Sequence, residues 1–337
     1  MARVPDLMQA ALAQAKGEPL ELVQVSTPRP GAGEVLVRVA ASAVNPLDTK
    51  ILAGLGDHAR QPLPAILGMD MAGVVAAVGK DTTAFREGDA VYGMAGGVGG
   101  HPGSLAQFIA ADARLLAHKP TNLTMREAAA VPLVFITAWE GLVDRAAVRA
   151  GQRVLVQGGA GGVGQMALQI ASARGARTFG AGSPSARAAI ERLGARFVDK
   201  AEAPAEVVAR ETGGEGFDII FDTAGGASLD AAFLMVRRFG HVVSALGWGA
   251  HALAPLSFRA ASYSGVFTLL PLLTGEGRTH HGEILAEAAT LAEAGELAPA
   301  LDPRRFTLGT VNDAYRAIET GAARGKLVVD LSEETGS

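Results

Sequence analysis

Five glycines fall within seven positions of the chain, Gly158, Gly159, Gly161, Gly162 and Gly164, and the residues on either side restrict what that stretch can become. The apolar run RVLVQ precedes it, and after it Val163, Met166, Ala167 and Ile170 recur at helical spacing;. A β-like run, a tight bend and an amphipathic helix open a βαβ unit, and in that setting Gly159, Gly161 and Gly164 satisfy GxGxxG;. The first glycine permits the turn, the second lets backbone approach a phosphate, and the third lets helix and strand pack closely. The helix N-terminus adds unpaired N–H groups and positive partial charge. A dinucleotide pyrophosphate held by Gly159, Gly161, Gly162, Val163 and Gly164 is the expected ligand, with a plain flexible turn as the alternative.

Which dinucleotide follows from the end of the next β-like run. NAD sites usually carry a carboxylate about 20 residues on, bonded to the ribose 2′-hydroxyl. Here the chain reads Phe179-Gly-Ala-Gly-Ser183-Pro-Ser185-Ala-Arg187, with no acidic residue. Hydroxyls and a guanidinium bind a 2′-phosphate that a carboxylate would repel, so Ser183, Ser185 and Arg187 predict NADPH rather than NADH. The competing account has a serine capping the next helix and Arg187 solvated at the surface.

At 337 residues and 49% hydrophobic content, the chain is long enough for about two domains with buried cores;. Up to about residue 125, short alternating runs such as EVLVRV and GVVAAV are separated by turn sequences, which predicts a barrel-like β domain;. An alanine-rich helical stretch begins near Thr124, broken at Pro132;. From Arg153 strands and helices alternate in the pattern of a doubly wound parallel sheet, one of the helices carrying Leu229, Ala232, Phe233 and Val236;. Past Tyr263, SGVFTLLPLL reads as a strand, followed by a helix from about Glu283 to Ala294 and another bearing Val311, Ala314, Tyr315 and Ile318. The last strand, Lys326–Asp330, has no α/β partner after it and is expected to return to the first domain.

Net charge is −4 with no run of like charge, which speaks against nucleic-acid and anionic-membrane partners;. No cysteine occurs, so disulfides, thiolate nucleophiles and cysteine-bound zinc are excluded, and a reducing compartment fits;. The N-terminal residues lack the apolar core of a signal peptide, and no run reaches the length of a membrane span;. The expected location is the cytoplasm.

The ordered segments PRPGAGEVLVRV, AVNPLDTKI, PAILGMDMAGVVAAVG, FREGDAVYG, PLVFITAWEGL, VLVQGGAGGVGQ, GFDIIFDTAGG and RGKLVV resemble the zinc-independent quinone oxidoreductase (zeta-crystallin-like) branch of the medium-chain dehydrogenase/reductase superfamily over nearly the whole chain. The resemblance implies an α/β fold class: a GroES-like β-barrel catalytic domain, here 1–125 and 271–337, interrupted by a Rossmann NADP-binding domain, 126–270. Zinc-dependent members hold the metal through cysteine and histidine where this chain has AVNPLDTKI and GMD, and Asn45 and Met69 are not substitutes. The histidines His58, His101, His118, His241, His251, His280 and His281 do not restore a site; the adjacent His280 and His281 lack i, i+4 spacing and read as exposed residues ahead of a helix;. No metal is expected.

The implied reaction is hydride transfer from NADPH to a quinone or an α,β-unsaturated carbonyl compound. Negative charge then develops on the carbonyl oxygen and a donor must meet it. Asn45, in the segment resembling the family NPxDT motif, is the first candidate, with backbone bonding in a pre-proline turn as the alternative. Asp48 and Lys50 can orient Asn45 and assist protonation, or form a surface pair. Some relatives carry tyrosine where Lys50 stands. Thr137 matches a family threonine near the nicotinamide, against a helix-interior threonine bonded to backbone. By position in the family, Ala245, Leu246, Gly247 and Phe267 to Leu269 hold the nicotinamide ribose and carboxamide, Lys200 lies near the adenine ribose, and Lys326 reaches the cofactor phosphates; solvated lysines are the alternative.

The run Gly265–Leu273 is too apolar for an exposed edge strand, which predicts a homodimer paired through the Rossmann edge;. A nucleotide-binding, crystallin-like protein with little turnover stands as the alternative function.

Overall fold

The computed structural model describes residues 4–331. The chain forms two units, one comprising the chain up to Leu133 and again from Leu269, the other Val134–Thr268. The first unit starts with eight strands: β1 (Leu7–Ala13), β2 (Glu21–Ser26), β3 (Glu34–Val44), β4 (Ala65–Ile66), β5 (Asp70–Val78), β6 (Ala90–Met94), β7 (Phe108–Asp112) and β8 (Leu116–His118). Strands β2, β1 and β4 make a small antiparallel sheet, and β3 is the hub of the larger one, paired on either edge with β5 and β7. Both faces of the hub are covered in part: Val35, Val37 and Val39 are buried on one, and on the other Leu36 packs with Met8 and Ala10 of β1 while Arg38 faces solvent;.

The second unit is one six-stranded sheet built from β9 (Arg153–Gln157), β10 (Arg177–Gly182), β11 (Arg196–Asp199), β12 (Phe217–Asp222), β13 (Val236–Ser244) and β14 (Ser262–Gly265), every pair parallel. Its order, β11-β10-β9-β12-β13-β14, reverses direction beside β9. Val154, Leu155 and Val156 of this central strand are fully buried, as expected where helices cover both faces;. Ligands of doubly wound sheets bind beyond the strand ends at that reversal, which is where β9 delivers Gly158.

After the second unit the chain adds β15 (Phe306–Thr307) and β16 (Leu327–Asp330) to the first. Strand β16 runs antiparallel to β3, with Leu327 opposite Val44 and Val329 opposite Ser42, so the terminal strand does return to the barrel. This pairing brings Lys326 beside the end of β3.

Several local expectations are corrected. The apolar run 265–273 is not a strand: β14 ends at Gly265, and Leu270–Thr274 is a short helix with Pro271 in its first turn, where a missing N–H costs nothing;. The helix expected from Glu283 starts at Arg278, so His280 and His281 lie inside it, His280 exposed and His281 buried. Val236 opens β13 rather than closing the preceding helix, Ala227–Met235. The units divide after Leu133 and before Leu269, against the expected 125 and 270. The helical segment Met125–Ala129 packs on β3 and β5, so the change in composition near Thr124 precedes the change of unit.

Candidate active site

Strand β3 ends at Val44, and Asn45 begins the helix Pro46–Leu52, whose first position suits proline because its N–H would be unpaired there in any case;. Asp48 Oδ2 accepts the Asn45 backbone N–H at 2.7 Å and closes this turn. Asp70, the first residue of β5, accepts the Asn45 side-chain Nδ2 at 2.9 Å on Oδ2 and the Leu133 N–H at 2.9 Å on Oδ1. Lys326 Nζ donates to Asn45 Oδ1 and lies 3.4 Å from Asp70 Oδ2. Three segments distant in sequence thus meet in a closed triangle of amide, carboxylate and ammonium. Lys50 is outside it, exposed on the helix whose Asp48, Thr49, Ile51 and Leu52 are buried.

The triangle sits in a low-dielectric setting: Asn45, Asp48 and Asp70 are at most 1% exposed. Burial pushes the Asp48 carboxyl up to about 7, aided by the Asp70 charge and opposed by the Asn45 N–H and Lys326;. Burial also raises Asp70, with Lys326 as the main counterweight. Asp48 Oδ1 and the buried Tyr315 hydroxyl have no hydrogen-bond partner among the described residues. The Tyr315 phenol is raised by burial and then by the Asp48 charge. Asp70 and Tyr315 carry no motif of their own: Asp70 reads in the sequence as part of an apolar strand, and Tyr315 as one apolar position of an amphipathic helix.

In the second unit the glycine bend opens the helix Gly162–Ala173 with Gly161 at its N-cap. The residue that needs the left-handed backbone is Gly158, at φ 75°, one position before the glycine assigned to the turn from the motif;. A Cβ on Gly164 would lie 2.1 Å from the Gly158 carbonyl oxygen, so only glycine lets this helix approach the strand end. Gly159 and Gly158 donate their N–H groups to Ala181 O at 3.0 and 3.1 Å, which ties the bend to β10. The close approach leaves the N-terminal amides of a twelve-residue helix at the sheet reversal, a cradle that fits a pyrophosphate;.

Beyond β10, Ser183 and Ser185 share a hydroxyl hydrogen bond of 2.9 Å, and Ser183 makes no side-chain cap. Arg187 is already occupied, 3.3 Å from Glu191 and stacked 4.1 Å from the Phe197 ring centroid. Lys200 follows β11 directly and donates its backbone N–H to Gly182 O at 3.0 Å, which sets an exposed ammonium-bearing residue beside Ser183. Thr137 is buried and bonds Thr268 Oγ1 at 3.0 Å, and Thr268 in turn donates to Glu140 Oε2 at 2.9 Å; this side-chain pairing was not among the expected roles.

The segment Ala245–Gly247 leaves β13 over a buried anchor. Asp222 accepts the Ser244 hydroxyl at 2.8 Å, the Ser244 oxygen accepts the Leu246 N–H at 3.0 Å, and Ala245 N–H reaches Asp222 O. Tyr263 Oη would be 2.0 Å from a Cβ on Gly247. Phe267 meets Trp248 edge to face at 6.3 Å, and Leu269 is buried in the first unit.

The family described as "Alcohol dehydrogenase GroES-like domain" matches residues 31–121, and that described as "Zinc-binding dehydrogenase" matches 193–329. The chain is 34% identical to 2-methylene-furan-3-one reductase of Solanum lycopersicum over 90% of its own length and 74% of that protein's. It is also 34% identical to the chloroplastic NADPH-dependent alkenal/one oxidoreductase of Arabidopsis thaliana, over 88% and 72%. The chain belongs to the medium-chain dehydrogenase/reductase superfamily. A solved alcohol dehydrogenase superfamily protein from Novosphingobium aromaticivorans is similar at 54% identity and TM-score 0.95, covering 96% of this chain and all of that one.

For this medium-chain dehydrogenase/reductase the zinc named in one family description meets an unsuitable donor set. Asn45 and the fully buried Met69 occupy the segments where the resemblance places zinc ligands, the chain has no cysteine, and among the described residues no three His, Cys, Asp or Glu side chains group to hold an ion;. No helix among the described residues is long and apolar enough to cross a membrane.

Proposed function

We propose that this medium-chain dehydrogenase/reductase is an NADPH-dependent reductase that adds hydride to the β-carbon of an α,β-unsaturated carbonyl compound, or to a quinone, without a metal. The observation that carries the reading is the buried Asn45–Asp70–Lys326 triangle, which places N–H donors and a fixed positive charge where a zinc-dependent relative would need thiolate and imidazole;. When bound, the nicotinamide supplies the hydride. As the hydride reaches the β-carbon, the π electrons move onto the carbonyl oxygen, the triangle meets that charge, and a proton then completes the saturated product. The reductase activities in the names of the tomato and Arabidopsis relatives support the substrate class.

In this proposal Gly159, Gly161, Gly162, Val163 and Gly164 cradle the pyrophosphate. Ser183, Ser185, Arg187 and Lys200 face the 2′-phosphate, with Lys200 as its main cation because Arg187 is paired with Glu191. Thr137, Ala245, Leu246, Gly247, Phe267 and Leu269 serve the nicotinamide end. The protein works as a homodimer joined at β14, the sheet edge, flanked by exposed Phe239, Phe258 and Tyr263;. The lack of cysteine supports a cytoplasmic location.

The test is a set of initial rates with NADPH and NADH against 2-cyclohexenone, a 2-alkenal and a benzoquinone, with and without a chelator. Chelator-insensitive turnover that favours NADPH is expected. Loss of activity on chelation overturns the metal-free reading, and NADPH binding without turnover on any acceptor moves the assignment to a nucleotide-binding protein.

A further inference from the structure

The members of the triangle differ in what they have left to offer. Lys326 Nζ carries three N–H groups; one goes to Asn45 Oδ1, one to Asp70 Oδ2, and the third has no acceptor among the described residues;. Asn45 spends its oxygen on Lys326 and one amide N–H on Asp70, and the whole residue is 1% exposed. The Lys326 side chain is 9% exposed and that of Asp70 is sealed. Any small molecule that reaches this cluster meets the ammonium first.

The backbone holds Lys326 on both sides. Its N–H donates to Ala300 O at 2.8 Å, and its carbonyl accepts the Asp302 N–H at 3.0 Å. Asp302 is itself clamped, by the Arg304 guanidinium at 2.8 Å and the Arg324 N–H at 2.8 Å. With its backbone held in this way and its Nζ bonded to Asn45 and Asp70, the ammonium is placed before any substrate arrives, which is the condition under which a donor lowers a barrier rather than merely binding;.

We propose that Lys326 is the catalytic residue that donates to the substrate carbonyl oxygen, with Asn45 and Asp70 as positioning residues that hold its ammonium. This rests on the reductase reading above and changes which residue touches the oxygen. It also separates Lys326 from the cofactor phosphates. Moving the ammonium onto a phosphate would strip Asp70, which is fully buried, of the only cation beside it in the triangle;.

The experiment compares wild type with Lys326→Met and with Lys326→Met/Asp70→Asn, the second removing the carboxylate at position 70 that the first leaves without its cation. Melting temperature identifies folded variants. Three readouts follow: the NADPH dissociation constant by fluorescence titration, kcat and KM with 2-cyclohexenone, and binding of 4-nitrophenol, whose phenol and phenolate forms differ in visible absorbance and whose oxyanion stands for the developing charge. Expected are a fall in kcat of about 100-fold or more in both variants, NADPH affinity within about twofold of wild type, and 4-nitrophenol bound as phenolate by wild type alone. A double variant that keeps kcat within about threefold, or one with NADPH bound about tenfold more weakly and kcat unchanged at saturation, overturns the assignment. If wild type does not reduce the enone, the reductase reading fails, while phenolate binding still decides whether Lys326 forms an oxyanion site: phenolate bound equally by wild type and variants overturns it.

Discussion

Replacing Asp48, which accepts the Asn45 backbone N–H beside the triangle, with asparagine tests the electrostatics of this buried cluster without changing its shape. Burial raises this carboxyl from 3.8 to about 7, so the folded protein keeps the proton to higher pH than the unfolded chain does. Stability contributed by Asp48 is therefore complete below pH 3.8 and is lost as the pH rises to about 7;. At about 1.4 kcal/mol per pH unit the whole loss is about 4 kcal/mol, of which about 3 falls between pH 5 and pH 8. Asparagine has no proton to lose, and its oxygen can still accept the Asn45 N–H. Urea unfolding of wild type and Asp48→Asn at pH 5 and pH 8 should show the variant gaining about 3 kcal/mol on wild type between the two, because the titrating groups that do not face Asp48 cancel in the difference. A difference that stays constant to within about 1 kcal/mol would refute the reasoning, since Asp48 would then ionise as freely folded as unfolded.

Other consequences can be checked with single variants. Gly164→Ala, whose Cβ would be 2.1 Å from the Gly158 oxygen, should cost about 1–3 kcal/mol and weaken NADPH binding at least about tenfold, read by calorimetry and fluorescence titration;. Lys200→Ala should raise KM for NADPH about 10- to 100-fold and leave NADH unaffected in steady-state rates; equal effects on both cofactors would remove Lys200 from the 2′-phosphate site. Gly247→Ala should raise KM for NADPH by displacing the 245–247 segment from Tyr263, and adding Tyr263→Phe should restore it, because the nearest contact then moves from 2.0 to 3.3 Å. Static light scattering at micromolar concentration should report twice the 34.4 kDa chain mass; a monomer sinks the edge-strand dimer.

What was legible in the sequence was whatever depends on neighbours along the chain. The glycine bend, the alternation of strands and helices after Arg153 and the valine alternation of β3 each express a local rule of backbone or period, and each reappears in the structure;. The local reading failed where burial or a neighbouring segment overrode it: 265–273 has strand composition but turns into a helix at Pro271, and His281 is polar yet packed inward on a helix.

The triangle was beyond local reading for a different reason. Asn45, Asp70 and Lys326 are separated by 25 and 256 residues, and only the antiparallel pairing of β16 with β3, and of β3 with β5, brings them together. The sequence alone determined that a dinucleotide cradle and a barrel domain would form, because glycine placement and side-chain alternation act within a few residues. Tertiary structure decided which lysine joins Asn45. Lys50 is five residues away but turned to solvent by the helical period, whereas Lys326 is carried in by the last strand and held by a buried carboxylate that has no other cation in that triangle;.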